Sequence, residues 1–212
     1  MIAATLLLAL NLGTPREAIL ECMAYYQGLK KFSMDIKHQN SSGLFPGKYE
    51  QKLEWNGPKN WSLNVVKPSE FKPVDGEPGS LAPTYLCKDG ELIERLTGGS
   101  ERPGSEATDQ TMPGWEVSGG PIMSWLAGTP SGKYYADGLP KDSGMSISLT
   151  WGSLKKWQDL SVREIILTTA TAQGESRKFS MFLDVEKPRL LGLSLEDFYK
   201  NGWVKYSGQS GE

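Results

Sequence analysis

The sequence predicts an α+β domain that is mainly antiparallel β, with one N-terminal helix followed by a large curved sheet. Three observations lead there. A single capped helical pattern occupies residues 14 to 29, apolar residues then recur at every second position in run after run, and turn dipeptides separate the runs. A helix laid against a bent sheet encloses a hydrophobic space and points to a container, not a catalyst.

The helix start is chemical. Thr14, Pro15 and Glu17 supply a cap side chain, a residue with preset φ, and an acid at the third helical position. Ile19, Met23, Tyr26 and either Leu29 or Lys30 follow at helical spacing, giving one apolar stripe, and Gly28 weakens the last turn. From Phe32 the period is two. Phe32, Met34, Ile36 and His38 share a face opposite Ser33, Asp35, Lys37 and Gln39, and residues 40 to 43 make a turn. Tyr49, Gln51, Leu53 and Trp55 then alternate with Glu50, Lys52 and Glu54, before Asn56-Gly57-Pro58 leads into Trp61, Leu63 and Val65. Asn-Gly between alternating runs signals a hairpin, and Pro58, which has no N–H, lengthens the loop. Asp89-Gly90 joins a further pair of strands, Thr84 to Lys88 and Glu91 to Thr97.

Residues 98 to 114 hold almost nothing to bury, so a mobile surface loop is expected there. Gly119-Gly120-Pro121 opens a short apolar helix over 122 to 127, containing Trp125 and Leu126, which Gly128 ends. A loop through Tyr134, Tyr135 and Asp137-Gly138 returns to β pattern. Met145, Ile147, Leu149 and Trp151 alternate with polar residues, Val162 to Thr169 reads as a strand with a bulge or two buried faces, and Phe179, Met181, Leu183 and Val185 alternate again beyond Gln173-Gly174. Leu190 to Leu195 lead to Ser194-x-x-Asp197, read as a short capped helix. Residues 202 to 206 close the domain, which spans 14 to 206 without a repeat or second boundary and leaves 207 to 212 as a tail.

The charge balance excludes some classes of partner. Lys and Arg number 23 against 25 Asp and Glu, with no basic stripe, so nucleic acid is not expected. His38 is the only histidine, and no nucleophile elbow accompanies it, so catalysis through an imidazole base has no second component. A zinc site from His38, Cys22 and Cys87 lacks the short ligand spacing it needs. Glu50 and Glu54 read as solvated charge on a strand's polar face, and the glycine pairs lack the Lys and Ser/Thr of a phosphate loop. No enzyme, metal or cofactor is expected. The two cysteines allow one disulfide, but two buried small apolar residues are the favoured reading. Residues 2 to 10 are apolar, too short to span a bilayer as a helix, and sized like the core of a secretory signal, so 1 to 13 are read as an export signal or its remnant.

Seven Trp and seven Met residues remain to carry function. Each alone fits a filled core; together they suit an adaptable apolar site.

The order of elements resembles the LolA-like superfamily of exported bacterial proteins, which includes lipoprotein carriers, RseB-like regulators and mycobacterial lipid-binding lipoproteins. The stretch from Ala18 to Ser33 is similar to that superfamily's opening helix and its entry into the first strand. The segment from Trp55 to Leu63 is similar to its hairpin, and Leu86 to Leu92 to its Asp-Gly turn. The resemblance implies a strongly curved half-barrel of nine to eleven strands wrapped around the N-terminal helix, with short lid helices and the segment from 115 to 128 over the open side. It further implies a periplasmic or otherwise exported protein that binds a lipid or the acyl chain of a lipoprotein. The expected contacts are Met34, Ile36, Leu53, Trp55, Trp61, Leu63, Ile147, Leu149, Met181 and Leu183 on the sheet, with Trp125 and Leu126 on the lid. A non-enzymatic sensor that meets an envelope protein through the same fold is the alternative. Which strand parity faces inward is left open.

Overall fold

The computed structural model describes residues 13–40, 47–67, 84–95, 101–106, 121–128, 130–138, 144–174, 176–194 and 202–212. Helix α1 (Pro15–Gln27) begins as the sequence dictates. The Thr14 hydroxyl accepts from the Glu17 N–H, and the Glu17 carboxylate accepts from the Thr14 N–H, which closes a capping box and draws the Glu17 pKa down. Ala18, Ile19, Cys22, Met23 and Tyr26 form its buried stripe.

Among the described residues eleven strands follow: β1 (Phe32–Asn40), β2 (Gly47–Trp55), β3 (Trp61–Lys67), β4 (Thr84–Lys88), β5 (Glu91–Arg95), β6 (Glu101–Glu106), β7 (Met145–Trp157), β8 (Leu160–Thr171), β9 (Ser176–Asp184), β10 (Leu190–Ser194) and β11 (Trp203–Gly211). They form one antiparallel sheet in the order β6-β5-β4-β3-β2-β1-β11-β10-β9-β8-β7. Among the described residues the edges β6 and β7 do not pair with each other, so the curved sheet is an open half-barrel. Its two halves, β1–β6 and β7–β11, join along β1 and β11, from Phe32 opposite Gly211 to Gln39 opposite Trp203.

Between the halves come the short helices. α2 (Pro121–Ala127), a 3-10 turn (Pro130–Lys133) and α3 (Tyr134–Asp137) pack beside α1. Trp125 stacks on Tyr26 at 5.8 Å between ring centroids and donates its indole N–H to the Gly132 carbonyl at 2.9 Å. Arg16 of α1 pairs with Asp137 of α3. Two adjoining turns of helix, at 130–137, thus replace the loop expected there.

Three further expectations change. Residues 207–212 are no tail, because β11 runs to Gly211 and the Glu212 carbonyl accepts from Lys30 and Lys31. Gln209 is the reason the segment matters: its side chain accepts from the Tyr26 hydroxyl at 2.8 Å and donates to the Leu190 carbonyl at 2.8 Å, while the Leu190 N–H donates to the same hydroxyl at 3.1 Å. That knot fastens α1 to β10 and β11. Second, residues 101–106 within the expected loop form edge strand β6, which needs backbone partners on one side only and so tolerates Pro103. Third, β7 continues past Trp151 through a bulge to Trp157, and residues 190–194 are a strand. The expected export segment over residues 2 to 10 and the helix starting near Ser194 lie in whole or in large part outside the described residues. Among the described residues no helix is long and apolar enough to cross a membrane.

Candidate functional site

Register decides which parity faces the helices. Phe32 lies opposite Trp55, Trp55 opposite Trp61, Trp61 opposite Cys87, and Cys87 opposite Leu92, one continuous row across five strands. A second row runs from Met34 through Leu53 and Leu63 to Tyr85. In the other half, Leu149, Leu167 and Phe179 align, as do Ile165, Met181 and Leu193. These rows, with α1 and α2, make one apolar cluster on the inner face of the half-barrel.

All twelve residues expected from the sequence lie in or against that cluster. Met34, Ile36, Leu53, Trp55, Trp61, Leu63, Trp125, Leu126, Met181 and Leu183 are buried, none more than 6% exposed. Ile147 and Leu149 pack against it only in part, together with Trp151, because β7 is the margin of the sheet. Trp151 donates to the Gly13 carbonyl ahead of α1 at 3.1 Å, and the Arg163 guanidinium lies 4.6 Å from its ring centroid. Apolar surface therefore stays accessible along β7, beside the start of α1. At the other end a cleft of about 390 Å³ opens between Lys31, Phe32, Trp55, Asn56 and Glu212, a more polar lining than the cluster behind it.

Two polar side chains interrupt the apolar parity. His38 is buried; it stacks on Tyr49 at 4.1 Å and hydrogen-bonds through Nε2 to Gln51 Oε1 at 2.9 Å. Burial pushes its pKa down to about 3, so the ring is neutral. Gln51 is 0% exposed, and its Nε2 has no hydrogen-bond partner. The sequence carried a signal for this pair, a Gln on the apolar parity of β2 and a His on the apolar parity of β1, which the register sets diagonally, Gln51 opposite Ile36 and His38 opposite Tyr49.

The cysteines are free thiols, both buried. Burial raises both pKa values, that of Cys22 to about 12, so neither is a ready nucleophile. Among the described residues no three His, Cys, Asp or Glu side chains converge on a metal position.

The outer face holds a cluster that sequence reasoning missed. Past the bulge, β7 and its hairpin partner β8 curl so that Trp157 stacks on Phe182 of β9 at 4.3 Å and meets Trp203 of β11 edge-on at 6.5 Å. Gly192 makes room for it: a Cβ there would sit 2.2 Å from Trp157. Beside the rings, Glu164 accepts from Lys155 at 2.8 Å and Ser180 at 2.6 Å. Burial alone would raise the Glu164 pKa, but these two donors bring it below the ordinary carboxylate value. This is packing and charge pairing, not a reactive site.

An open antiparallel half-barrel with helices on its inner apolar face defines the class of the protein. No family model and no curated protein sequence matches the chain. Among solved structures it is similar to LprF from Mycobacterium bovis, with TM-score 0.53 and 11% identity over 93% of this chain and 95% of that one. It also aligns with the Mycobacterium tuberculosis lipoprotein LppX, at TM-score 0.49 and 12% identity over 92% of each chain. A LolA superfamily protein from Nitrosomonas europaea aligns at TM-score 0.41 and 12% identity, over 95% and 94% of the two chains. At such identities it is the fold alone that is shared with LprF, an open antiparallel half-barrel.

Proposed function

We propose that the protein binds a lipid, or the acyl chain of a lipoprotein, on the inner face of the half-barrel, as an exported carrier or chaperone of the bacterial envelope and without catalysis. The observation that carries this reading is the half-open apolar margin at Ile147, Leu149 and Trp151, continuous with a helix-covered apolar cluster. An acyl chain would enter there and take the contacts that Trp125 and Leu126 now make, so α2 would act as a lid. Met34, Ile36, Leu53, Trp55, Trp61, Leu63, Met181 and Leu183 would line the chain beyond it. Each buried methylene would contribute about 0.8 kcal/mol, so affinity needs no charged anchor.

A second reading, the sensor or interaction module, is favoured by one fact: ten of the twelve expected contact residues are buried against the chain's own apolar cluster. Native mass spectrometry after gentle purification separates the two. Lipid adducts on the folded protein support the carrier; a clean apo mass, unchanged after incubation with envelope lipid extract, supports the module.

A further inference from the structure

We propose that His38 and Gln51 form a polar niche on the inner face that takes the carbonyl oxygen of an acyl ester. The inference rests on the lipid-binding reading and names the chemical group that reading leaves open. Gln51 lies opposite Ile36 on one side and Val65 on the other, and shares its face with Leu53 and Trp55, so it stands among apolar side chains. A buried amide without a partner is destabilising. A core with no use for the amide would carry Leu or Met there.

The niche fixes which atom is on offer. His38 Nε2–H donates to Gln51 Oε1 at 2.9 Å, and the ring is held flat against Tyr49 with 8° between the planes. The amide oxygen is thereby occupied, and Nε2 is left as a donor in search of an acceptor. The imidazole is neutral and shielded from water. A neutral donor in apolar walls suits an uncharged acceptor with hydrocarbon on both sides, which describes an ester carbonyl better than a phosphate or a carboxylate. His38 lies six residues along β1 from Phe32, where Tyr26 of α1 packs, a separation of roughly 20 Å at about 3.3 Å per residue. The niche is therefore remote from the α1 contact, and Val65, opposite Gln51 on β3, is only half-buried.

The test compares a monoacylglycerol with its 1-O-alkyl ether counterpart, identical in chain length but lacking the carbonyl, by titration against tryptophan fluorescence. The wild-type protein should bind the ester about tenfold more tightly, the equivalent of one hydrogen bond. Gln51→Leu and, as a second variant, Gln51→Met should bind both probes alike, near the wild-type affinity for the ether. In the wild-type protein the Gln51 side-chain NH₂ proton resonance should move downfield with ester and not with ether, a readout that needs no variant to fold. Equal wild-type binding of the two probes, with the amide resonance unmoved, overturns the niche and leaves lipid binding standing; a buried water would give that result. No binding of either probe to folded wild-type protein overturns lipid binding and the niche together.

Discussion

The two halves of the sheet treat their outer faces differently. In β1–β3 the outer face carries Lys37, Glu50, Lys52, Glu54 and Asn64, with exposed pairs such as Lys37–Glu50 at 3.6 Å and Lys52–Glu54 at 3.1 Å. In β8–β10 the corresponding face buries Val162, Glu164, Phe182 and Gly192 under the curled tip of the β7–β8 hairpin. One half has a single core, the other has two. Where a sheet meets water, strict alternation in the sequence is a complete description of burial; where the chain folds back over a strand, both parities become apolar.

The sharpest way to break this comparison is Phe182→Ala. Phe182 is 2% exposed beneath Trp157, and its truncation should cost about 3–5 kcal/mol in urea unfolding. A loss no larger than that of a surface substitution would mean that the hairpin tip does not cover β9.

The inner face of the first half should reveal itself through pH. An unfolded histidine titrates near 6.5 and folded His38 near 3, so between those values the unfolded chain binds the extra proton. The stability His38 contributes is complete above about pH 6.5 and is lost as pH falls toward 3, at up to about 1.4 kcal/mol per pH unit. Urea midpoints measured from pH 7 to pH 4 should show this limb, and His38→Gln should flatten it.

Tyr26→Phe tests the joint between the halves. It strips the hydroxyl shared by Gln209 and the Leu190 N–H, and should cost about 2 kcal/mol with the fold retained. Faster amide exchange should be confined to β10, β11 and the end of α1.

The smallest effect belongs to Lys52→Ala on the solvated outer face, within about 0.5 kcal/mol of wild type. A larger change would show that the first half also carries hidden packing outside.

Much of this was legible from residue order. The capping box at Thr14 and Glu17, the parity of β1–β3 and the Asn-Gly and Asp-Gly hairpins follow from chemistry that acts over a few residues. Strand β6 was missed because an edge strand can form on backbone pairing with little to bury. The end of β7 was missed because a bulge breaks the period at Trp151, after which Lys155 and Trp157 look like surface residues. Residues 207–212 looked dispensable because Gly208, Ser210 and Gly211 carry no apolar signal, although the strand they belong to joins the two halves.

By itself the sequence determined a capped helix, antiparallel strands joined by tight turns and the sets of apolar side chains that share a strand face, because propensity, period and turn chemistry are local. Only the tertiary structure decided which parity faces the helices, that β1 and β11 meet at the centre, that the β7–β8 hairpin closes over the outer face, and that the Gln51 amide nitrogen is left unpaired. Each of those depends on contacts between residues far apart in the chain, whose partners no local pattern names.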